Sequence, residues 1–197
     1  EGLLDAERAV SALQSEPRGT LRIAAPHSFG LRWLQPAMLP FLKRWPELRV
    51  EISFDDRTRD IVGEGFDLAI RITRLENSSL IARRLAPFSI RIVATPELLE
   101  RHGVPTQPQD LANLPCIIDT NGRWLSNWQF RRMNGDIYSV SVTGPLEVNS
   151  PMATRAAALA SLGFCILPDF IAEADLKAGR LVSVLEDSLP TNGGIFA

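Results

Sequence analysis

Polar side chains suited to binding a small anion follow two stretches that are predicted to be buried strands. Arg71 comes directly after the apolar run 68–70, and Ser28 comes shortly after the strand predicted over residues 21–25. In parallel sheets that are covered by helices, ligands sit beyond the carboxyl ends of the strands. We therefore expect Arg71 and Ser28 to meet a small ligand that carries a negative charge.

A second serine stands at the start of another predicted helix. Ser150 precedes Pro151, a pair that is typical of an N-cap followed by the first helical residue. Ser28 is predicted to cap the earlier helix, and the free N–H groups of helix starts favour anions. The residues that we expect around the ligand, all near strand ends or helix starts, are His27, Ser28, Phe29, Thr58, Arg71, Thr120, Asn121, Asn149, Ser150 and Pro168.

Simpler roles exist for these residues when each is taken singly. Ser28 and Ser150 are more often plain helix caps than ligand-binding groups. Arg71 has acidic neighbours in the sequence, Asp67 and Glu64, with which it can form a surface ion pair. The expected site therefore depends on several groups converging at one crevice.

The elements that would position these side chains alternate between strand and helix. Strands are predicted over 21–25 and 50–54, and apolar residues recur at helical spacing from 29 to 45 between them. Pro36 and Pro40 interrupt that helix, so we expect it to kink or restart near them. This alternation predicts a parallel α/β unit.

The second half of the sequence also predicts a set of strands and helices. Gly163 is expected to end an alanine-rich helix, and Asp169 to cap the last helix. Asn134 and Gly135 predict a two-residue hairpin turn. The predicted strands are 91–94, 114–119, 128–133, 136–142, 146–148, 164–167 and 181–185, and the predicted helices are 96–101, 151–162 and 169–179.

Several segments, in this order and spacing, resemble one known family. The segment 64–71 reads Glu-Gly-Phe-Asp-Leu-Ala-Ile-Arg, and 81–87 reads Ile-Ala-Arg-Arg-Leu-Ala-Pro. Together with 21–54 and 157–168, they look like the effector-binding domain of LysR-type transcriptional regulators. The resemblance implies an α/β fold of two Rossmann-like lobes, each a mostly parallel sheet flanked by helices. That fold is similar to the type 2 periplasmic binding proteins, with a ligand cleft between the lobes.

The resemblance also implies how the chain is divided. Residues 1–18 would be the end of a dimerising linker helix, with apolar residues three and four apart as in a coiled coil. The alternative is an N-terminal helix packed on its own domain. Residues 20–88 and 191–197 would form lobe I without its C-terminal part, and residues 89–190 would form lobe II.

By the same resemblance, the chain is expected to be the effector-sensing part of a cytoplasmic transcription factor. A small anionic effector would bind between the lobes and alter the geometry of a homodimer or homotetramer. Helix 28–45 and strand 50–54 are the expected subunit contact, since the family pairs them head to tail. An N-terminal winged helix-turn-helix outside this chain would bind promoter DNA, and RNA polymerase would be a further partner. The alternative is a free-standing solute-binding protein, which would need an export signal.

Composition limits the other function classes. The net charge is −2 and no basic stripe is present, so this chain alone is not expected to bind DNA. No segment is apolar enough to span a membrane, and no export signal opens the sequence. Cys116 and Cys165 lie in apolar predicted strands, which favours buried free thiols over a disulfide.

Motifs for catalysis or metal binding are not found in the sequence. Only two histidines are present, and nucleophile-elbow, Walker, dinucleotide-binding and zinc-binding spacings are missing. Asp55 and Asp56 would suit a phosphoacceptor site, but neither Lys43 nor Lys177 follows a predicted strand, so the pair is expected to be a turn and cap. An enzyme on the same fold would need a catalytic polar set. We therefore expect no enzymatic activity, no catalytic residue, no cofactor and no metal.

Overall fold

The computed structural model describes residues 16–56, 63–73, 81–122, 124–190 and 193–197. Across these ranges the chain divides into two compact units, the first up to Ile70 and the second from Arg71. The predicted linker helix at the N-terminus and Thr58 lie outside the described residues. None of the helices in the described ranges is long and apolar enough to cross a membrane.

Strands and helices alternate along most of the described chain. In chain order the elements are β1 (Gly19–Ala25), α1 (His27–Phe29), a π-helical turn (Gly30–Leu34), α2 (Gln35–Arg44), β2 (Leu48–Phe54), β3 (Leu68–Ala69), β4 (Arg71–Thr73), β5 (Arg84–Pro87), β6 (Ile90–Ala94), α3 (Pro96–His102), a 3-10 helix (Pro108–Asn113), β7 (Pro115–Asp119), β8 (Asn127–Arg131), β9 (Ile137–Ser141), β10 (Thr143–Val148), α4 (Pro151–Leu159), β11 (Phe164–Pro168), α5 (Asp169–Lys177), β12 (Val182–Val184), a second 3-10 helix (Glu186–Ser188) and β13 (Gly194–Phe196).

The first unit is built on a three-stranded parallel sheet. β1 lies between β2 and β3 and runs parallel to both. The carboxyl half of β1, residues 23–25, is buried, as expected for the central strand of a covered sheet. The predicted parallel α/β unit is confirmed.

A continuous helical segment joins β1 to β2 and contains the π-helical turn. Pro36 follows the π-helical turn as the second residue of α2, and Pro40 lies inside α2. The predicted interruption near the prolines therefore takes the form of a π-helical turn just before them. Gly30 brings the segment close to β2, because a Cβ there would lie 2.4 Å from the ring of Phe54.

The second unit is built on a five-stranded mixed sheet. The strand order is β10-β7-β11-β6-β12. β7 runs parallel to β10 and β11, whereas β6 runs antiparallel to β11 and β12. Four of these five strands, β10, β7, β11 and β12, therefore point the same way and β6 is reversed, so the expectation of a mostly parallel sheet is confirmed.

The two faces of this sheet carry separate hydrophobic clusters. Trp128 and Phe130 of the β8–β9 hairpin belong to one cluster, and Ile171 of α5 belongs to the other. Cys116 and Cys165 fall in different clusters, so their side chains point to opposite faces. Both thiols are free and buried, which confirms the prediction, and burial raises the pKa of Cys116 to about 12.

A separate antiparallel sheet, here called the crossing sheet, also belongs to the second unit. β13 is its central strand and pairs with β4 on one side and β5 on the other. The strand predicted over 68–70 ends at Ala69, and Arg71 belongs to a different strand. The chain leaves the first sheet after Ala69, and Arg71 opens β4 opposite Phe196.

The loop between β8 and β9 has three residues, one more than the predicted two-residue turn. The N–H of Arg132 donates to the carbonyl oxygen of Asp136 at 2.8 Å, so residues 133–135 form the loop. Gly135 has a positive φ of 93°, whereas Asn134 does not have one. A two-residue type I′ turn needs a positive φ at both central residues, and Asn134 instead accepts a hydrogen bond from the N–H of Asp136.

The alanine-rich helix α4 ends earlier than predicted. Ser161, not Gly163, takes the left-handed conformation after the helix, with a φ of 56°. Ser161 is kept there by side-chain contacts, since its Oγ lies 2.7 Å from Oγ1 of Thr95 and donates to Glu97 at 3.0 Å. Gly163 serves close packing, because a Cβ there would lie 2.7 Å from the carbonyl oxygen of Pro115.

Candidate functional site

The end of β1 leads directly into the first helical turn. Pro26 is the N-cap and Ser28 lies inside the turn, so the prediction that Ser28 caps the helix is wrong. The extended backbone of Pro26, with ψ near 138°, sets the boundary before Ser28. The Ser28 side chain is 6% exposed, and its Oγ has no hydrogen-bond partner among the described residues. Leaving a buried hydroxyl unpaired costs about 1–3 kcal/mol, so Ser28 has a hydroxyl that a ligand or water can satisfy.

A carboxylate from the end of β2 already meets this helix start. Oδ1 of Asp56 accepts a hydrogen bond from the N–H of His27 at 2.9 Å. The imidazole of His27 also stands edge-on to Phe54, with the ring centroids 6.3 Å apart. The partial positive charge of the helix start is therefore matched by an acid, and a free anion would compete with Asp56 here.

Asp56 was not among the predicted ligand contacts. The sequence placed it in a turn and cap, without showing which helix it caps. The position of Asp56 just after β2 could have indicated this contact, because the carboxyl ends of neighbouring parallel strands meet at one edge of a sheet.

In the second unit, three neighbouring parallel strands end at one edge of the sheet. The carboxyl ends of β10, β7 and β11 lead into Asn149, Thr120 and Asp169, respectively. The N–H of Thr120 donates to the carbonyl oxygen of Val148 at 2.7 Å. The side-chain amide of Asn121 donates to the carbonyl oxygen of Asn149. The structure therefore brings Thr120, Asn121 and Asn149 together, as the sequence predicted.

The start of α4 follows this edge directly. Ser150 is the N-cap and Pro151 the first helical residue, as predicted, but the Ser150 side chain makes no capping hydrogen bond. The first turn of α4, which is fully described, contains no acidic residue. The two helix starts therefore differ. At α1 the carboxylate of Asp56 lies against the partial positive charge of the helix, whereas the first turn of α4 contains no acidic residue to do so.

The remaining predicted residues fall in different places. Pro168 ends β11 and is the N-cap of α5 at the same edge of the second sheet. Arg71 lies in the crossing sheet, and Phe29 lies in the first helical turn with His27 and Ser28. The carboxylate of Asp67, one suggested partner of Arg71, accepts a hydrogen bond from the backbone N–H of Arg22 at 2.8 Å.

Metal chemistry has no support from the described part of the chain. Within 16–56, 63–73, 81–122, 124–190 and 193–197, no group of three or more histidine, cysteine, aspartate or glutamate side chains could hold a metal ion. The edge of the second sheet carries the hydroxyl and amide groups of Thr120, Asn121 and Asn149 beside the carboxylates of Asp119 and Asp169. Such an edge can hold a small organic ligand by hydrogen bonds.

Comparison with known proteins places this chain in one family. The family model of the LysR substrate binding domain matches residues 14–196. The chain belongs to this family. The resemblance seen in the sequence is thus confirmed, and so is an α/β fold similar to the type 2 periplasmic binding proteins.

The relatives of this LysR domain are transcriptional regulators. It is 32% identical over 183 residues to an HTH-type transcriptional regulator of Haemophilus influenzae, covering 93% of this chain and 63% of the relative. It is 35% identical over 189 residues to the HTH-type transcriptional regulator PtxR of Pseudomonas aeruginosa, covering 95% and 60%. The domain thus spans about three fifths of the length of these relatives.

A solved regulatory domain has the same fold. The regulatory domain of CrgA, a LysR-type transcriptional regulator from Neisseria meningitidis, superposes with a TM-score of 0.75 at 25% sequence identity. The match covers 91% of this LysR domain and 88% of the CrgA chain.

Proposed function

We propose that this LysR domain senses a small effector for a cytoplasmic, DNA-binding transcriptional regulator. The observation that carries the proposal is the edge of the second sheet, where Thr120, Asn121 and Asn149 meet the open start of α4. The relatives support it, because they are HTH-type transcriptional regulators, which does not favour the alternative of a free-standing solute-binding protein. Promoter DNA would be bound by an HTH domain outside this chain.

The proposed effector carries a carboxylate or a similar anion. Support comes from the first turn of α4, where the N–H groups and the partial positive charge meet no acidic residue of that turn. Ser150 has a side chain that makes no capping bond and can donate to an anion. We place the further contacts at the other predicted residues, which are His27, Ser28, Phe29, Thr58, Arg71 and Pro168.

Effector binding would act by shifting a conformational equilibrium. A ligand favours the conformation that it binds more tightly, by no more than its difference in affinity for the two. We propose that the favoured conformation changes how subunits associate in a dimer or tetramer, and thereby how the regulator engages promoter DNA and RNA polymerase. The apolar side chains exposed on the first helical segment, Leu31, Trp33, Leu39 and Phe41, support self-association through this surface.

The proposal is tested first by a thermal-shift screen of the chain against small carboxylates, amino acids and aromatic acids. A ligand at 100 times its Kd stabilises the native state by about 2.7 kcal/mol, which raises the unfolding midpoint in a dose-dependent way. A rise confined to one chemical class supports effector sensing. No rise in a folded sample counts against it and favours a role in oligomerisation.

Arg71→Ala tests whether Arg71 binds a negatively charged group of the effector. The ligand in this test is the compound that the thermal-shift screen identifies. Losing a hydrogen bond to a charged group costs about 1.5–3 kcal/mol, so we expect affinity to fall by about tenfold or more. Arg131→Ala, at the exposed last residue of β8, is the matched control and should leave affinity unchanged. If Arg71→Ala binds as tightly as the control, Arg71 does not contact the effector.

A further inference from the structure

Two residues link the crossing sheet to the sheet of the second unit, and both are fastened to α5. β5 ends at Pro87 and β6 begins at Ile90, so Phe88 and Ser89 form the link. The carbonyl oxygen of Ser89 accepts the N–H of Asp169 at 3.0 Å, and its hydroxyl donates to the Asp169 carboxylate. A residue bound through both its backbone and its side chain loses the rotational freedom that a short linker otherwise has.

The other residue of the link is held by its ring and its backbone. The ring of Phe88 packs against that of Phe170 in the first turn of α5, with the centroids 6.4 Å apart. The N–H of Phe88 donates to the carbonyl oxygen of Gly193, next to β13, at 3.3 Å. Phe88 therefore contacts α5 and the chain leading into the crossing sheet.

The second oxygen of the Asp169 carboxylate extends the contact into β6. Nε of Arg91 donates to Oδ1 of Asp169 at 2.9 Å, and Nη1 of Arg91 lies 3.0 Å from Glu186. Single exposed ion pairs contribute little to stability. Here, however, both carboxylate oxygens and the backbone N–H of Asp169 are bound at once, so Asp169 fixes Ser89 and Arg91 relative to α5.

We propose that the first turn of α5 is a clamp, formed by Asp169 and Phe170 on Phe88, Ser89 and Arg91, which makes the crossing sheet and the second sheet move as one body. The division of the chain agrees with this, because Arg71 and the rest of the crossing sheet fall in the second unit. Pro168 precedes the clamp directly. Provided that the proposed function holds and an effector contacts Pro168, the clamp carries that contact to β5 and β13.

Hydrogen–deuterium exchange on the unliganded chain tests the clamp. Asp169→Ala removes the acceptor of both the Ser89 hydroxyl and Arg91, and Ser89→Ala removes the hydroxyl donor. In either variant we expect the amides of β5 and β13 to exchange about tenfold faster, while those of β7 and β10 keep their protection. The double variant should exchange no faster than Asp169→Ala, because that change already removes the hydrogen bond that Ser89→Ala breaks.

Glu173→Gln is the control on the same helix, since Glu173 forms an exposed ion pair with Lys177 and takes no part in the clamp. It should leave the exchange of β5 and β13 unchanged. Unchanged exchange of these strands in Asp169→Ala would overturn the proposal, and so would equal acceleration in β7 and β10, which indicates general destabilisation. Because no effector is added, failure of the clamp is distinguishable from failure of effector sensing.

Discussion

A fully buried carboxylate joins the two helices that cover one face of the second sheet. Asp175 of α5 is 0% exposed and accepts hydrogen bonds from Arg155 of α4 at 2.9 Å and from Arg180 at 2.8 Å. Burial opposes ionisation of Asp175, but the hydrogen bonds from the two guanidinium groups outweigh it and lower the pKa of the carboxyl. Asp175 therefore stays charged inside the protein because both partners are in place.

Removing the charge of Asp175 should destabilise the domain. Breaking a buried ion pair costs about 3–5 kcal/mol, but Arg155 and Arg180 are partly exposed and can regain water, so we expect Asp175→Asn to lower the free energy of unfolding by about 2–3 kcal/mol. Urea denaturation at neutral pH measures the loss. Glu173→Gln, which removes an exposed charge from the same helix, should cost less than about 0.5 kcal/mol. Equal losses for the two variants would contradict a structural role for Asp175.

The stabilisation by Asp175 should also depend on pH. Since the folded pKa lies below the ordinary value of 3.8, the contribution is complete above that value and is lost as the pH falls towards the folded pKa. The difference in unfolding free energy between wild type and Asp175→Asn should therefore be constant from pH 7 to 5 and should shrink below pH 3.8. A difference that grows on acidification would contradict this assignment.

At the scale of elements, the approach of the first helical segment to β2 depends on a residue without a side chain. A Cβ on Gly30 would lie 2.4 Å from Cδ1 and Cε1 of Phe54, and the imidazole of His27 stands edge-on to the same rigid ring. Either the ring or the helical segment has to move to make room.

Gly30→Ala is expected to lower the free energy of unfolding by about 1–3 kcal/mol through overpacking. Phe54→Leu in the same chain should recover part of that loss, because the smaller side chain vacates the contact. Urea denaturation of the two single variants and the double variant gives the coupling between the sites. Additive losses in the double variant would show that the two side chains do not compete for space.

The order of these elements was predictable from the sequence, but some of their details were not. Apolar periodicity identified β1, β2 and the helical segment between them, because burial sets that pattern locally. The end of α4 was misplaced since Ser161 owes its left-handed backbone to Thr95 and Glu97, which lie far away in the sequence. The direction of β6 was also beyond prediction, because periodicity indicates a strand and not the orientation of its partners.

At the scale of the whole molecule, the exposed apolar surface of the first helical segment is expected to mediate self-association. Leu39 is 55% exposed there. Leu39→Glu should weaken association by about tenfold or more, as measured by sedimentation velocity, because a charge would be buried at the interface. Leu162→Glu is the matched control, since Leu162 is 45% exposed in the second unit. Equal association of the two variants would place the subunit contact elsewhere.

One part of the candidate site, at the edge of the second sheet, could be predicted from the sequence. The proximity of Thr120, Asn121 and Asn149 followed from the rule that neighbouring parallel strands end at the same edge of a sheet. Arg71 was expected at the end of a strand of the first sheet and instead opens β4, because the last strand of that sheet is only two residues long. The contact between the Asp56 carboxylate and the start of α1 could not be predicted, because a single sequence does not specify which strands are neighbours.

The central strand of the crossing sheet is made last on the ribosome. β4 and β5 do not pair with each other, and each pairs with β13, which follows β5 by roughly 100 residues. At about 5–20 residues per second, the nascent chain carries both strands without their shared partner for about 5–20 s. Unpaired strand edges invite association with other chains. For that interval, newly synthesised molecules are therefore open to association through these two strands.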